Sequence, residues 1–322
     1  MLDVITIGDS TIDNIITIDD AKIKCDLRKD ERLLCLNYAE KIPIKHMKQT
    51  VGGNASNITV GCKKLGFKTA ILTELGDDIN GISIKHELEM AGVNTDLVKI
   101  LKNKETRYSV ILNYHGERTI LSYHTDRSYS FPKLPKTKWI YYTSLGKSFE
   151  NLQDKLLKYL FANPEIKLAF NPGSYQMKDG LEKIKKLLPH VNLLFVNRQE
   201  AEKLVGKKRT TKALINTLLK KGVGQVVMTD GILGSFATAD KEIFFMKSYP
   251  QKPKAKTGAG DAYSSSFLSA ILHDKTVPEA MQWGTANATS VIMQIGAQRG
   301  LANQKQILQI IKKYVKIKPI KI

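Results

Sequence analysis

The stretch TGAGDAY, residues 257–263, sets two glycines and an alanine directly ahead of a single acid, at the point where helix-forming residues begin. Unpaired N–H groups and the positive end of the dipole at a helix N-terminus attract an anion, and Gly258, Ala259 and Gly260 carry little to hold a phosphate away from them. A carboxylate in that turn repels the phosphate it faces, so Asp261 suits a different role, that of taking a proton from a hydroxyl that attacks the phosphate. Aspartate is also favoured as a helix cap, and on this motif alone the two readings stand level.

A second glycine pair opens another helix in VGGNASN, residues 51–57. Gly52 and Gly53 admit a ligand close to the backbone, and Asn54 and Asn57, three apart, share a helix face whose amides suit sugar hydroxyls. An ordinary N-cap gives the same pattern. In VNRQEAEKL, Asn197 and Glu200 fall where a strand ends and a helix starts. At that spacing an amide and a carboxylate hold water around Mg²⁺, or form a capping box. Thr229, Gly231 and Gly234 in MTDGILGSF form a turn near the predicted nucleotide side. Asp9 and Asp13 flank the end of the first strand, where an acid accepts hydrogen bonds from vicinal hydroxyls or simply occupies a turn. The six histidines are scattered without a nucleophile or metal constellation, and GxxxxGK[ST] is absent.

Positioning these residues falls to short apolar runs at Leu2–Ile7, Ala70–Leu72, Trp139–Tyr142, Lys167–Phe170, Leu193–Val196 and Gln225–Met228. Helical patterns separate them at Ala55–Leu65, Gly81–Met90, Asn151–Phe161, Asp179–Leu188 and Thr210–Lys221, each closed by Gly or Pro. That alternation predicts βαβ units and a parallel sheet covered on both faces, with ligands at the carboxyl ends of the strands. Residues 11–50 and the hairpin pattern TRYSVILNYHGERTILSY, turning at His115-Gly116, lack a crossover helix and are expected to form a smaller, separate sheet. Three helices, Gly260–Leu272, Pro278–Ile295 and Asn303–Val315, close the chain against the main sheet.

The net charge of +19 on 322 residues admits an acidic partner, but the lysines are spread along the whole length. The tail KKYVKIKPIKI has one aromatic and no stacking pattern, so neither a nucleic acid nor a membrane is an expected partner. No apolar run approaches the roughly 18–20 residues that span a bilayer, and the start MLDVITIGDS lacks a basic, then apolar, leader. A cytoplasmic protein is expected, with Cys25, Cys35 and Cys62 as reduced structural thiols.

In their order along the chain, VGGNASNITVGCKKLG, the NxxE at 197–200, the TDGxxG turn at 229–234 and TGAGDAY resemble the signature regions of the PfkB, or ribokinase-like, carbohydrate kinases. The likeness runs over roughly residues 2–300. It implies an α/β fold: a ribokinase-like, Rossmann-type three-layer sandwich made of residues 1–10, 51–94 and 128–322, with a small β-sheet lid made of 11–50 and 95–127. It implies ATP-dependent transfer of the γ-phosphoryl group to a hydroxymethyl oxygen, with Asp261 as the base and Gly258, Ala259 and Gly260 as the anion hole. Asp13, Gly52, Gly53 and Asn57 match the sugar-contacting positions. Asn197 and Glu200 match the motif associated with Mg²⁺ and phosphates, Glu200 through water. Thr229, Gly231 and Gly234 match the ATP-binding turn, and Asn287 the adenine pocket. Lids of this family often pair, which implies a homodimer.

Ala255 and Lys256 stand where many sugar kinases of the group read D-T, which leaves a monovalent-cation requirement open and makes Lys256 available to the phosphates. Thr11 replaces the asparagine of ribokinase-type chains, so ribose is not specifically implied. Sugars and sugar derivatives lead as acceptors. Nucleosides are the alternative if Tyr108, Tyr114 or Tyr123 stacks on a base, and phosphosugars if Arg107 and Arg118 grip a second phosphate.

Overall fold

The computed structural model describes residues 1–26, 31–115 and 117–322. Its main sheet has ten strands in the order β7 (Val98–Leu101), β6 (Thr69–Gly76), β1 (Leu2–Ile7), β10 (Thr137–Tyr142), β11 (Lys167–Phe170), β12 (Leu193–Asn197), β13 (Gln225–Thr229), β14 (Ser235–Ala239), β15 (Glu242–Met246) and β16 (Ile320–Lys321). From β7 to β13 all neighbours are parallel; β13 to β16 run antiparallel.

The runs are apolar throughout because both faces are covered, and the pleat sends alternate residues to opposite cores. Val4, Tyr141 and Phe195 pack with Ile58, Phe267, Trp283 and Ile307, from α1 (Asn54–Lys64), α8 (Ala259–Leu272), α9 (Val277–Ile292) and α10 (Gln304–Lys313). Ile5, Tyr142 and Leu194 face the other way, onto Leu156, Ile184, Leu204 and Leu214. Those come from α3 (Glu150–Ala162), α5 (Leu181–Leu187), α6 (Arg198–Val205) and α7 (Thr211–Leu219). The helix α2 (Ile79–Met90) packs by Ile84 and Leu88 into a third cluster with Ile12, Val51 and Ile71. The helix expected over 179–188 forms as α5, and a separate short helix, α4 (Ser174–Asp179), precedes it across Gly180.

A separate four-stranded sheet has the order β5 (His46–Gly52), β2 (Thr11–Thr17), β8 (Tyr108–Tyr114) and β9 (Glu117–Tyr123). The hairpin of β8 and β9 forms as expected, although its turn residue Gly116 lies outside the described residues. A further hairpin, β3 (Lys22–Asp26) with β4 (Glu31–Cys35), lies within the 11–50 stretch but forms a two-stranded sheet of its own rather than joining the four-stranded one. Residues 98–101, grouped with the lid in the sequence, instead extend the main sheet: β7 pairs with β6, since the chain leaving α2 returns parallel to the strand that precedes it. Among the described residues no helix is long and apolar enough to cross a membrane, and Cys62 is a buried free thiol.

Candidate active site

A cleft of about 560 Å³ opens over the carboxyl ends of the parallel strands, facing β8 and β9. Its floor is a row of polar residues that end or follow successive strands: Asp9 after β1, Ser144 after β10, Asn171 after β11, Asn197 at the end of β12 and Thr229 at the end of β13. The strand order reverses at β1 and β10, and the loops beyond those strands part to leave the crevice.

Asp261 stands in the first turn of α8 and is half-buried at the cleft wall. Asn57, one turn into α1, donates from Nδ2 to its Oδ2 at 2.8 Å. Gln298 donates to the Oδ1 of Asn57 at 3.1 Å, which fixes the amide with its NH₂ toward the acid. Burial lifts the Asp261 carboxyl to about 7; the Asn57 bond and the charge of Arg118 pull it down, while Asp13 and Glu200 push it up. The glycines ahead of it differ in purpose. Gly258 caps the helix with φ near 80°, and a β-carbon there would lie 2.5 Å from Ala297. A β-carbon on Gly260 would meet no protein atom within 4 Å, and the residue lines the cleft with its backbone bare.

Asp13, on β2, is buried and accepts from Thr11 Oγ1 at 2.8 Å; burial raises its carboxyl, while hydrogen bonds from Thr11 and Ser109 and the charge of Arg118 oppose the rise. Gly52 lies against it so closely that a β-carbon would come within 2.0 Å of Oδ2. The neighbouring Gly53 caps α1 and lines the cleft with Asn54 and Asn57. Asn197 and Glu200 form the capping box of α6, each backbone N–H bonded by the other's side chain at 2.8 Å, and both also line the cleft. Burial raises the Glu200 carboxyl. Gly231 and Gly234 build the turn beyond Thr229 without lining the cleft themselves.

Of the other residues named from the sequence, Gly52 and Ala259 do not line the cleft, and Arg107, Lys256 and Asn287 lie away from it. Arg107 is 1% exposed and does not line the cleft, because its guanidinium is engaged by Asp9, Tyr129 and His124. Arg118, paired with it in the sequence as a grip for a second phosphate, does reach the cleft. Lys256 pairs with Glu117 at the start of β9 rather than facing the cleft. Asn287 is fully buried: Nδ2 donates to Ser266 Oγ at 2.6 Å, and Oδ1 accepts from Ala302 N–H at 2.8 Å. Its position on the face of α9 turned to α8 leaves no amide atom for a ligand. Conversely Ser144, Asn171, His124 and Tyr175 line the cleft without having been singled out. For Ser144 and Asn171 the signal was available: each is among the first polar residues after a buried apolar run.

The sequence profile of the pfkB family carbohydrate kinases matches residues 13–304. The chain belongs to the PfkB family of carbohydrate kinases. The ATP-dependent 6-phosphofructokinase of Thermoanaerobacterium thermosaccharolyticum is 24% identical to this kinase over 317 residues, 92% of this chain and 89% of that one. Among solved structures, the nucleoside kinase of Methanocaldococcus jannaschii superposes with a TM-score of 0.77 at 20% identity, over 98% of this chain and 99% of that chain. Arabidopsis thaliana ribokinase, solved with ribose and ATP, gives a TM-score of 0.76 at 19% identity, over 97% and 99%. The fold of the kinase is thus ribokinase-like. A phosphosugar, a nucleoside and a pentose are represented among these similar proteins, so similarity at this level does not select the acceptor.

Proposed function

We propose that this kinase transfers the γ-phosphoryl group of ATP to a hydroxymethyl oxygen of a sugar or sugar derivative that carries no phosphate, with Asp261 as general base. The observation that carries the reading is Asp261 itself, held by Asn57 beside the bare backbone of Gly260, with a carboxyl near 7. A base of that pKa is ionised often enough at neutral pH to accept the hydroxyl proton and basic enough to keep it. The N–H groups of the turn Gly258–Gly260 face the charge that develops on the transferring group. Asp13 accepts from hydroxyls of the acceptor, and the sheet of β5, β2, β8 and β9 serves as a lid.

Thr229 lies on the nucleotide side. Glu200 keeps Oε1 beyond its capping bond to Asn197, and a single carboxylate of this kind fits Mg²⁺, which retains most of its waters. Mg²⁺ held there through water would neutralise charge on the ATP phosphates. With Arg107 engaged by Asp9, Arg118 is the one arginine lining the cleft among the described residues, beside the acids Asp9, Asp13, Glu200 and Asp261. That balance disfavours a second phosphate on the acceptor. ADP release with Mg·ATP, measured over free sugars, sugar phosphates and nucleosides, tests the reading. Turnover is expected with free sugars. Turnover confined to phosphosugars or nucleosides would overturn the acceptor class, and none at all the reaction.

A further inference from the structure

Arg107 is the largest fully buried side chain among the described residues and lies where the lid meets the main sheet, immediately before β8. Its Nη1 bonds Asp9 Oδ2 and lies 2.7 Å from His124 Nδ1. Its Nη2 donates to Tyr129 Oη at 2.5 Å. That hydroxyl also accepts from Gly146 N–H at 2.7 Å and donates to Asp9 at 3.0 Å. The loop after β10 is shaped to this group, since a β-carbon on Gly146 would come within 2.2 Å of Nη2. Taking a guanidinium out of water is costly, and the bonds from Nη1 and Nη2 offset that cost, although Nε has no partner. Yet two of its partners, Asp9 and His124, line the cleft, while Arg107 and Tyr129 do not.

The chemistry of the contacts fixes the state of both partners. A guanidinium only donates, so His124 Nδ1 must be the unprotonated, accepting nitrogen, and the ring proton resides on Nε2. Burial and the adjacent charge of Arg107 hold the His124 imidazole down at about 4, which keeps it neutral. Asp9 receives Arg107 on one oxygen and Tyr129 on both, with Arg127 and Glu74 as the remaining charges that act on it. The cleft wall therefore offers an ionised acceptor at Asp9 and a fixed N–H donor at His124.

We infer that Arg107 is a positioning residue that holds Asp9 and His124 as an acceptor and donor pair reading adjacent hydroxyls of the phosphoryl acceptor. The inference rests on the proposed kinase reading for its ligand, but not for the state of the pair. Asp9 accepts from one hydroxyl and His124 donates to its neighbour, so the pair selects a diol over the corresponding deoxy compound. Arg107 touches neither hydroxyl and acts through the two side chains it orients.

Two measurements test this. Long-range ¹H–¹⁵N spectra of the labelled protein at pH 7, with His124 assigned by substitution, are expected to show a neutral ring protonated on Nε2. A protonated ring or an Nδ1–H tautomer would overturn the inference whatever the acceptor proves to be. In steady-state kinetics with Mg·ATP and the best free pentose or hexose, Arg107→Lys is expected to raise the acceptor KM roughly ten- to hundredfold, with kcat and the ATP KM within about threefold. Tyr129→Phe, which removes one hydroxyl and keeps the packing, is expected to shift the acceptor KM in the same direction by a smaller factor. In Asp9→Asn the deoxy analogue that is most impaired with the wild-type enzyme should lose most of its handicap. Loss of melting temperature or kcat with an unchanged acceptor KM, or an equal deoxy penalty in wild type and Asp9→Asn, would make Arg107 merely structural. A wild-type enzyme that releases no ADP with any sugar defeats the kinase reading instead, and the spectra still decide the Arg107 pair.

Discussion

Asp9 and Asp261 line one cleft and are both raised by burial, yet their partners give them different states. Asp9 is met by the full charge of Arg107 and by the Tyr129 hydroxyl. Asp261 has a neutral amide, Asn57, as its hydrogen-bond donor, and feels Arg118 only across space. A cation in contact favours the carboxylate more than an amide does, so Arg107 opposes the rise at Asp9 more directly than Asn57 does at Asp261. Asp9 is thereby suited to hold a hydroxyl without taking its proton, and Asp261 to take one. Under the proposed reading, what separates a binding acid from a basic one is the choice of partner, since the side chain is the same and burial raises both.

Asp261→Asn breaks the comparison most severely. The kcat is expected to fall by roughly 10²–10⁴ while ATP binding stays within a few-fold, as read by single-turnover kinetics and calorimetry. Stability should move the opposite way with pH. The folded-state pKa of Asp261 lies above its unfolded value, so the stability it contributes is present in acid and lost as pH rises through about 7. Melting curves should therefore place the variant above wild type at pH 8, with the advantage vanishing toward pH 4. Retention of near wild-type turnover would remove Asp261 as the base.

Gly260→Ala asks whether the bare backbone serves the ligand or the fold. No protein atom opposes the added methyl, and alanine favours the helix by about 0.5–1 kcal/mol, so the melting temperature should rise by a few degrees. The kcat/KM should fall tenfold or more if phosphate approaches there; unchanged activity would place the anion elsewhere. Asn57→Ala sharpens the contrast of partners. Without its amide the Asp261 carboxyl rises further, so the acid limb of kcat/KM should move to higher pH and kcat fall about tenfold. An unmoved limb would show that the amide does not set the base. The smallest effect is expected from Lys256→Ala, which removes an exposed pair with Glu117: melting within about 2 °C and the ATP KM within about threefold. A tenfold rise in the ATP KM would return Lys256 to the phosphates.

The motifs at 51–57, 197–200 and 257–263 were legible because each combines a backbone requirement with a chemical one in a few consecutive residues. Gly258 needs positive φ, Gly260 needs an open face, and Asp261 follows at once. The parallel sheet was legible for a related reason, since strands covered on both faces must be apolar at every position, as in the wholly buried β6. Asn287 misled because nothing in TANATS distinguishes an amide that meets a ligand from one that ties two helices, as this one does through Ser266 and Ala302. Strand β7 was missed because its four residues alternate too briefly to show a period.

By itself the sequence determined the α/β class, the parallel core of the main sheet, the glycine-bearing turn at 258–260 and the acid beside it, all of which are properties of contiguous residues. Only the tertiary structure decided the partners: that Asn57 reaches Asp261 over 204 positions, that Arg107 serves Asp9 over 98, and that Lys256 pairs with Glu117 over 139. Hydrogen bonds and ion pairs act over a few ångströms in space and impose no pattern on residues so far apart along the chain. Which partner each of the two cleft acids meets therefore becomes readable only once the chain has folded.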